Sequence, residues 1–299
     1  MAERLGRSAL NRRGVKSSRV DTSLGPVHFY DAAGEGPLPT TVLVHGLGSG
    51  ATPFGPLLGQ LQSHVERVIV PDLPGHGFNA PCKSRLTPGT LFKGAIEALD
   101  ALVQEPALLV GNSLGGAVAL HYAVTRPERV RALILISPAG AQATEEEWES
   151  IRRTFDVRSR SEASAFLRRL YHRPPWFASL LAHELPAALA RPSTQQLLAT
   201  ASNADAPAPE ALASLDMPIL LVWGRSERLL PQTHFEYFAR HLPHHSIIER
   251  PFGFGHCPHF DAPIPLAQRI VAFARQAGLD RPLGPTDEAA THSMERQTA

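Results

Sequence analysis

The 299-residue chain predicts an α/β fold: a doubly wound, mostly parallel sheet interrupted by a helical cap. Three observations carry this. Short apolar runs alternate with segments of helical periodicity along most of the chain. The runs are apolar throughout, as strands covered on both faces must be. One stretch, 141–211, breaks the alternation with helical pattern alone.

At the front, Ser18–Ser23 and Val27–Asp31 flank Leu24-Gly25-Pro26 and predict an antiparallel hairpin. The central strands are expected at Thr41–His45, Val65–Val70, Ala107–Gly111, Val130–Ser137, Pro218–Trp223 and Ser246–Glu249. Helices are expected at Phe54–Gln62, Thr90–Val103, Leu114–Val124, Thr233–Leu242 and Pro265–Gln276. Within the interruption, Thr144–Phe155, Glu162–Tyr171 and Pro175–Glu184 carry helical pattern. About seventy residues between two strands is too long for a loop, so 141–211 reads as an inserted cap. It leaves the carboxyl edge of the sheet, where ligands bind in such folds, and so would form a lid. The expected organisation is a core of 18–140 and 212–278, the cap at 141–211, a disordered basic arm at 1–17 and a disordered tail at 279–299.

Composition narrows the function. Basic and acidic side chains number 29 and 28, a net charge of +1, which removes the electrostatic case for a nucleic-acid partner. Two cysteines, Cys82 and Cys257, exclude a disulfide framework and a four-thiolate zinc site. The fourteen histidines lack the acid-matched spacing of a metal centre, so no metal is expected. His234, His241, His244 and His245 read as surface residues. The arm holds Arg4, Arg7, Arg12, Arg13, Lys16 and Arg19 without the apolar run of a secretory signal. No stretch approaches the length of a spanning helix, roughly 18 apolar residues. A cytoplasmic protein without an integral membrane segment is the expectation.

The chemistry centres on Gly111-Asn112-Ser113-Leu114-Gly115-Gly116, between a buried strand and a helix. G-x-S-x-G in that setting is a nucleophile elbow: Gly111 and Gly115 clear the tight turn, and Ser113 sits strained at the sheet edge. A serine hydroxyl needs a base, and the base an orienting carboxylate, in the chain order Ser, acid, His. Glu227 follows the strand Pro218–Trp223, and His256 follows Ser246–Glu249, both on the edge that carries Ser113. The loop His45-Gly46-Leu47-Gly48 leaves the first central strand there too. The backbone N–H groups of Leu47 and Leu114 are the natural pair for a developing oxyanion. Alternatives stand beside these readings. Glu227 competes with a solvated loop acid paired to Arg225 or Arg228, and His256 with His259 and His245.

Taken together, His45-Gly46-Leu47-Gly48, Asp72-Leu73-Pro74-Gly75-His76-Gly77, Gly111–Gly116, Trp223-Gly224 with Pro231, and Gly255-His256 with Pro263 resemble the α/β-hydrolase fold family. The resemblance covers residues 18–278, with 141–211 at the usual cap position. It implies Ser113 as nucleophile, His256 as base and Glu227 as acid, with no cofactor. The branch it is most similar to contains esterases, monoacylglycerol-type lipases and hydrolases of meta-cleavage products. Three departures matter. The acid is Glu227 where Asp is commoner, so a shifted backbone is expected rather than lost activity. Cys257 follows His256 where meta-cleavage hydrolases usually carry tryptophan, and Gly46–Gly50 is poorer in glycine than their first loop. Serine in place of a nucleophilic Asp argues against epoxide hydrolase and haloalkane dehalogenase chemistry.

The expected activity is therefore hydrolysis of a small-molecule carboxylic ester through an acyl-enzyme. The alternatives are hydrolytic carbon–carbon cleavage of a dienoic keto acid by the same triad, and a non-enzymatic binding module. Arg168, Arg169, Arg173 and Arg191 of the lid could meet a substrate carboxylate, although a solvated face is the commoner role. Trp176, Phe177, Leu180 and Leu181 form an apolar helical face expected to pack on the core. His45 and His76 read as structural, and Cys257 as a small apolar filler.

Overall fold

A computed structural model describes residues 2–174 and 182–281. Its centre is one eight-stranded sheet. The strands are β1 (Lys16–Val20), β2 (Val27–Ala33), β3 (Thr41–Val44), β4 (Arg67–Pro71), β5 (Ala107–Asn112), β6 (Val130–Ile136), β7 (Ile219–Val222) and β8 (Ile247–Glu249). Their order across the sheet is β1-β2-β4-β3-β5-β6-β7-β8. The hairpin β1–β2 and the β2–β4 pair are antiparallel, and every later pair is parallel. All six expected central strands are present, within two residues of their expected starts.

Alternation along each strand divides the core in two. From β5 and β6, Leu109, Leu133 and Leu135 face one side, where they meet α3 (Pro88–Leu102), α4 (Leu114–Thr125) and α10 (Gln232–His241). Leu108, Val110, Ile134 and Ile136 face the other, against α2 (Gly55–Leu61) and α11 (Pro263–Gln276). Because both faces are covered, polar alternation is absent from these strands, which is why the apolar runs marked them.

The cap holds α5 (Glu145–Phe155), α6 (Arg160–Leu170), α7 (Leu185–Leu189), α8 (Pro192–Thr200) and α9 (Pro209–Ala213). Thr144 with Glu147, and Ser159 with Glu162, form capping boxes that start α5 and α6. A third apolar cluster (Ile151, Phe155, Phe166, Leu167, Leu189 and Leu198 among its members) joins these helices and reaches Leu47 and Cys257 in the core. The expected helix Pro175–Glu184 begins outside the described residues. So does the apolar face of Trp176, Phe177, Leu180 and Leu181.

Both ends depart from expectation. The arm expected to be disordered forms α1 (Ala2–Arg12) and the start of β1. Its charge masked an apolar anchor: Leu10 and Val15 are buried, and Leu10 packs over Gly55. Burial of a Leu contributes about 1.5–3 kcal/mol, and Arg7, stacked over the Phe78 ring, lends its charge to the same docking. Leu279, assigned to the tail, is buried in the core, so the body runs beyond 278; residues 282–299 lie outside the description. Among the described residues no helix is long and apolar enough to cross a membrane.

Candidate active site

Ser113 lies between β5 and α4 with φ 55° and ψ −120°, in the left-handed region that side chains avoid. The surroundings hold it there. Its N–H donates to the Ile136 carbonyl (3.0 Å), and its own carbonyl accepts from Gly116 and Ala139 (2.8 and 3.0 Å). Glycine is needed on both sides. A Cβ at Gly111 would stand 2.3 Å from the Gly115 carbonyl oxygen, and one at Gly115 2.1 Å from that of Val44. A Cβ at Gly46 would come 3.2 Å from the Cβ of Ser113, so the first loop passes directly beside the serine.

Glu227 and His256 form a buried pair, each side chain 3% exposed, with Nδ1 donating to Oε2 at 2.8 Å. The other carboxylate oxygen, Oε1, accepts from the N–H groups of Leu229 (2.7 Å) and Leu230 (3.1 Å). Burial pushes the Glu227 carboxyl up, but His256 beside it and these hydrogen bonds outweigh that, leaving it below the usual range. The carboxylate is thus ionised and fully occupied. With the proton on Nδ1, Nε2 of His256 is left as the basic nitrogen. Arg225 and Arg228 do not take Glu227; they donate to the carbonyls of Arg250 and Arg168.

Asn112 joins the serine and histidine loops. Its Nδ2 donates to the carbonyls of Ile136 (3.0 Å) and His256 (2.8 Å). The sequence pattern does not show this bridging role, because Asn112 occupies the variable position of G-x-S-x-G. The Ser113 hydroxyl itself makes no hydrogen bond among the described residues. Such contacts commonly tighten only when substrate arrives.

The rivals for these roles are placed elsewhere. His259 stacks on Phe54 at 4.0 Å, and burial pulls its protonation down to about 3. His245 Nε2 contacts the Met217 carbonyl, away from the edge. Asp261 accepts from the His172 N–H (2.8 Å). Burial raises the Cys257 thiol well above its ordinary range, so it is not a thiolate.

The N–H groups of Leu47 and Leu114 have no acceptor among the described residues, and both residues line the cavity that contains Ser113. His45 sets the first of these loops. The Leu73 N–H donates to its Nε2 (2.9 Å), so the ring's own proton sits on Nδ1 and goes to the Gly46 carbonyl (2.8 Å). Asp72 braces the neighbouring turn, accepting from His28 Nδ1 (2.7 Å) and the N–H groups of Ala51 (2.6 Å) and Phe78 (2.9 Å). His76 Nδ1 meets the Pro74 carbonyl (3.0 Å) in the same turn.

The cavity is narrow, about 100 Å³, and its walls are chiefly apolar: Leu47, Phe92, Trp148, Ile151, Phe155 and Leu198 among them. None of Arg168, Arg169, Arg173 or Arg191 lines it. One expected surface residue does: His234 is 1% exposed and faces this cavity. Sequence reasoning placed it outside because a lone histidine near a helix start carries no periodic signal.

Residues 39–263 match the family described as the alpha/beta hydrolase fold, and the chain belongs to that family. It is a hydrolase. It is 32% identical over 262 residues to pimeloyl-[acyl-carrier protein] methyl ester esterase of Xanthomonas oryzae pv. oryzae, covering 81% of this chain and 98% of that one. It is 29% identical over 251 residues to 2-hydroxymuconate semialdehyde hydrolase of Pseudomonas sp. (strain CF600), covering 78% and 83%. The crystal structure of a membrane phospholipase A, a bacterial virulence factor, superposes with a TM-score of 0.77 at 25% identity, over 91% of each chain.

Proposed function

We propose that this protein hydrolyses a carboxylic ester through an acyl-enzyme on Ser113. The carrying observation is the buried Glu227–His256 pair on the same sheet edge as a strained serine flanked by two unused N–H donors. His256 Nε2 takes the Ser113 proton as the oxygen attacks the acyl carbon. The N–H groups of Leu47 and Leu114 receive the oxyanion, each contributing about 2.7–4 kcal/mol by analogy with other oxyanion donors. His256 then passes its proton to the departing alcohol. Water, deprotonated by the same nitrogen, releases the acid and restores Ser113. Glu227 holds Nδ1–H and offsets the imidazolium charge in both halves.

The similarity to esterases and to a phospholipase supports the ester reading, while one relative named above is a semialdehyde hydrolase. Against carbon–carbon cleavage of a keto acid stands the absence of any lysine or arginine lining the cavity among the described residues. A dienoate carboxylate would have no cation to meet there. A fluorophosphonate probe is expected to label wild type and not Ser113→Ala, with short-chain p-nitrophenyl ester turnover lost in the variant. Labelling or full turnover in Ser113→Ala would sink the assignment.

A further inference from the structure

The cavity in front of Ser113 is lined by a buried histidine, His234, that the hydrolytic cycle leaves unused. His234, two residues beyond the helix-leading Pro231-Gln232 step, is buried, and it lines the same cavity as Ser113, Leu47 and Leu114. Neither Nδ1 nor Nε2 has a hydrogen-bond partner among the described residues. Leaving one buried polar group unpaired is costly, and here two ring nitrogens are left on one side chain. His45, equally buried, has both ring nitrogens occupied, and His76 and His259 each leave only one buried ring nitrogen unpaired; His234 leaves both.

The chemistry of the missing partner can be read from the ring and its surroundings. Burial pulls the protonation of His234 down to about 4, against the opposing pull of Glu147 and Glu227, so the ring is neutral near pH 7. A neutral imidazole offers one N–H donor and one bare nitrogen acceptor. The negative groups around it disfavour an anion: Glu147 and Glu227 act on the ring, and Asp205 lines the cavity. No lysine or arginine among the described lining residues offsets them. The partner that fits is neutral, able to accept a hydrogen bond or to exchange one.

We propose that His234 is a specificity-determining residue of this site, hydrogen-bonding a neutral hydroxyl or carbonyl carried by the part of the ester that enters the cavity. The inference rests on the ester-hydrolase reading and names the substrate class: hydroxy- or oxo-substituted esters in preference to plain alkyl esters of equal length. The apolar walls bind the chain, and His234 reads its substituent.

The test compares matched esters, one series with a hydroxyl or keto group moved along the acyl chain and one with it on the alcohol, each against its unsubstituted twin. Wild type is expected to favour the substituted ester by about ten-fold in kcat/KM at one position. In His234→Phe that ratio should fall to about one, whatever happens to both rates. His234→Gln, which keeps a donor and an acceptor, should restore part of it. A wild type without preference, or a preference unchanged in His234→Phe, overturns the proposal. Calorimetric binding of the matching non-hydrolysable ketones makes the same comparison without turnover. If no ester is hydrolysed yet the ketone preference depends on His234, the catalytic reading fails, and His234 keeps its recognition of the substituent but not its part in choosing an ester substrate. If turnover is sound and both preferences are flat, this one fails alone.

Discussion

At the scale of single residues, Glu227 is the informative departure. Glu227 is one methylene longer than the commoner aspartate, and the extra length is used: Oε2 reaches His256 while Oε1 accepts from Leu229 and Leu230. Glu227→Gln keeps the shape but removes the charge and places an amide where Nδ1–H must be accepted. By analogy with such changes in other triads, kcat is expected to fall about 10³–10⁴-fold. Glu227→Asp should fall less, since a shorter carboxylate can serve the histidine or its backbone donors but not both. Steady-state kinetics on a p-nitrophenyl ester checks this; an undiminished Glu227→Gln would remove the residue from the mechanism. Ser113, Glu227 and His256 stand out in the sequence because each follows a strand in a fixed order. His234 does not: Trp148 and the other cap residues that share its cavity lie far away in sequence.

At the scale of elements, the cap is tied to the loop that carries His256. After α6, the chain from Leu170 to His172 runs backbone to backbone against Gly255–Cys257. The Cys257 N–H donates to the Leu170 carbonyl (3.1 Å), and a Cβ at Gly255 would meet the His172 nitrogen at 2.6 Å and the Leu170 oxygen at 2.7 Å. Further ties come from His172: its N–H goes to Asp261, and its Nδ1 lies 2.7 Å from Ser226 Oγ, next to Glu227. Gly255→Ala therefore forces either the cap or the histidine loop to move. Overpacking of this kind typically costs about 1–3 kcal/mol, and the shift falls one residue from His256. A lowered Tm with an esterase activity reduced at least ten-fold is expected; a variant with wild-type Tm and activity would contradict the contact. The strands and most helices were readable from local pattern. This strap was not, since backbone contact between residues about 85 apart leaves no trace in local periodicity.

At the scale of the whole molecule, the near-balanced charge conceals how many ionisable groups are buried. His76 and His234 are pulled down to about 4 and His259 to about 3, in each case chiefly by desolvation. Unfolded, these rings titrate near their ordinary value of 6.5. Between that value and the folded ones, the unfolded chain binds protons that the native chain refuses, so stability falls as pH falls. Their contribution is intact above pH 6.5 and is lost through the window down to about 4 or 3, each ring adding a slope of up to about 1.4 kcal/mol per pH unit. Glu3 and Asp261, whose carboxyls burial raises, work the other way above their ordinary values of 4.5 and 3.8. Asp72 and Glu227, both lowered on balance although burial alone would raise them, join the loss only near the ordinary carboxylate range, 3.8 and 4.5. Urea unfolding midpoints are therefore expected to drop from about pH 6.5 to 5, before the lowered carboxylates Asp72 and Glu227 titrate. His259→Phe, which keeps a ring against Phe54, should take one increment off that slope. A midpoint flat from pH 7.5 to 5 would mean that these rings are not held neutral in the native protein.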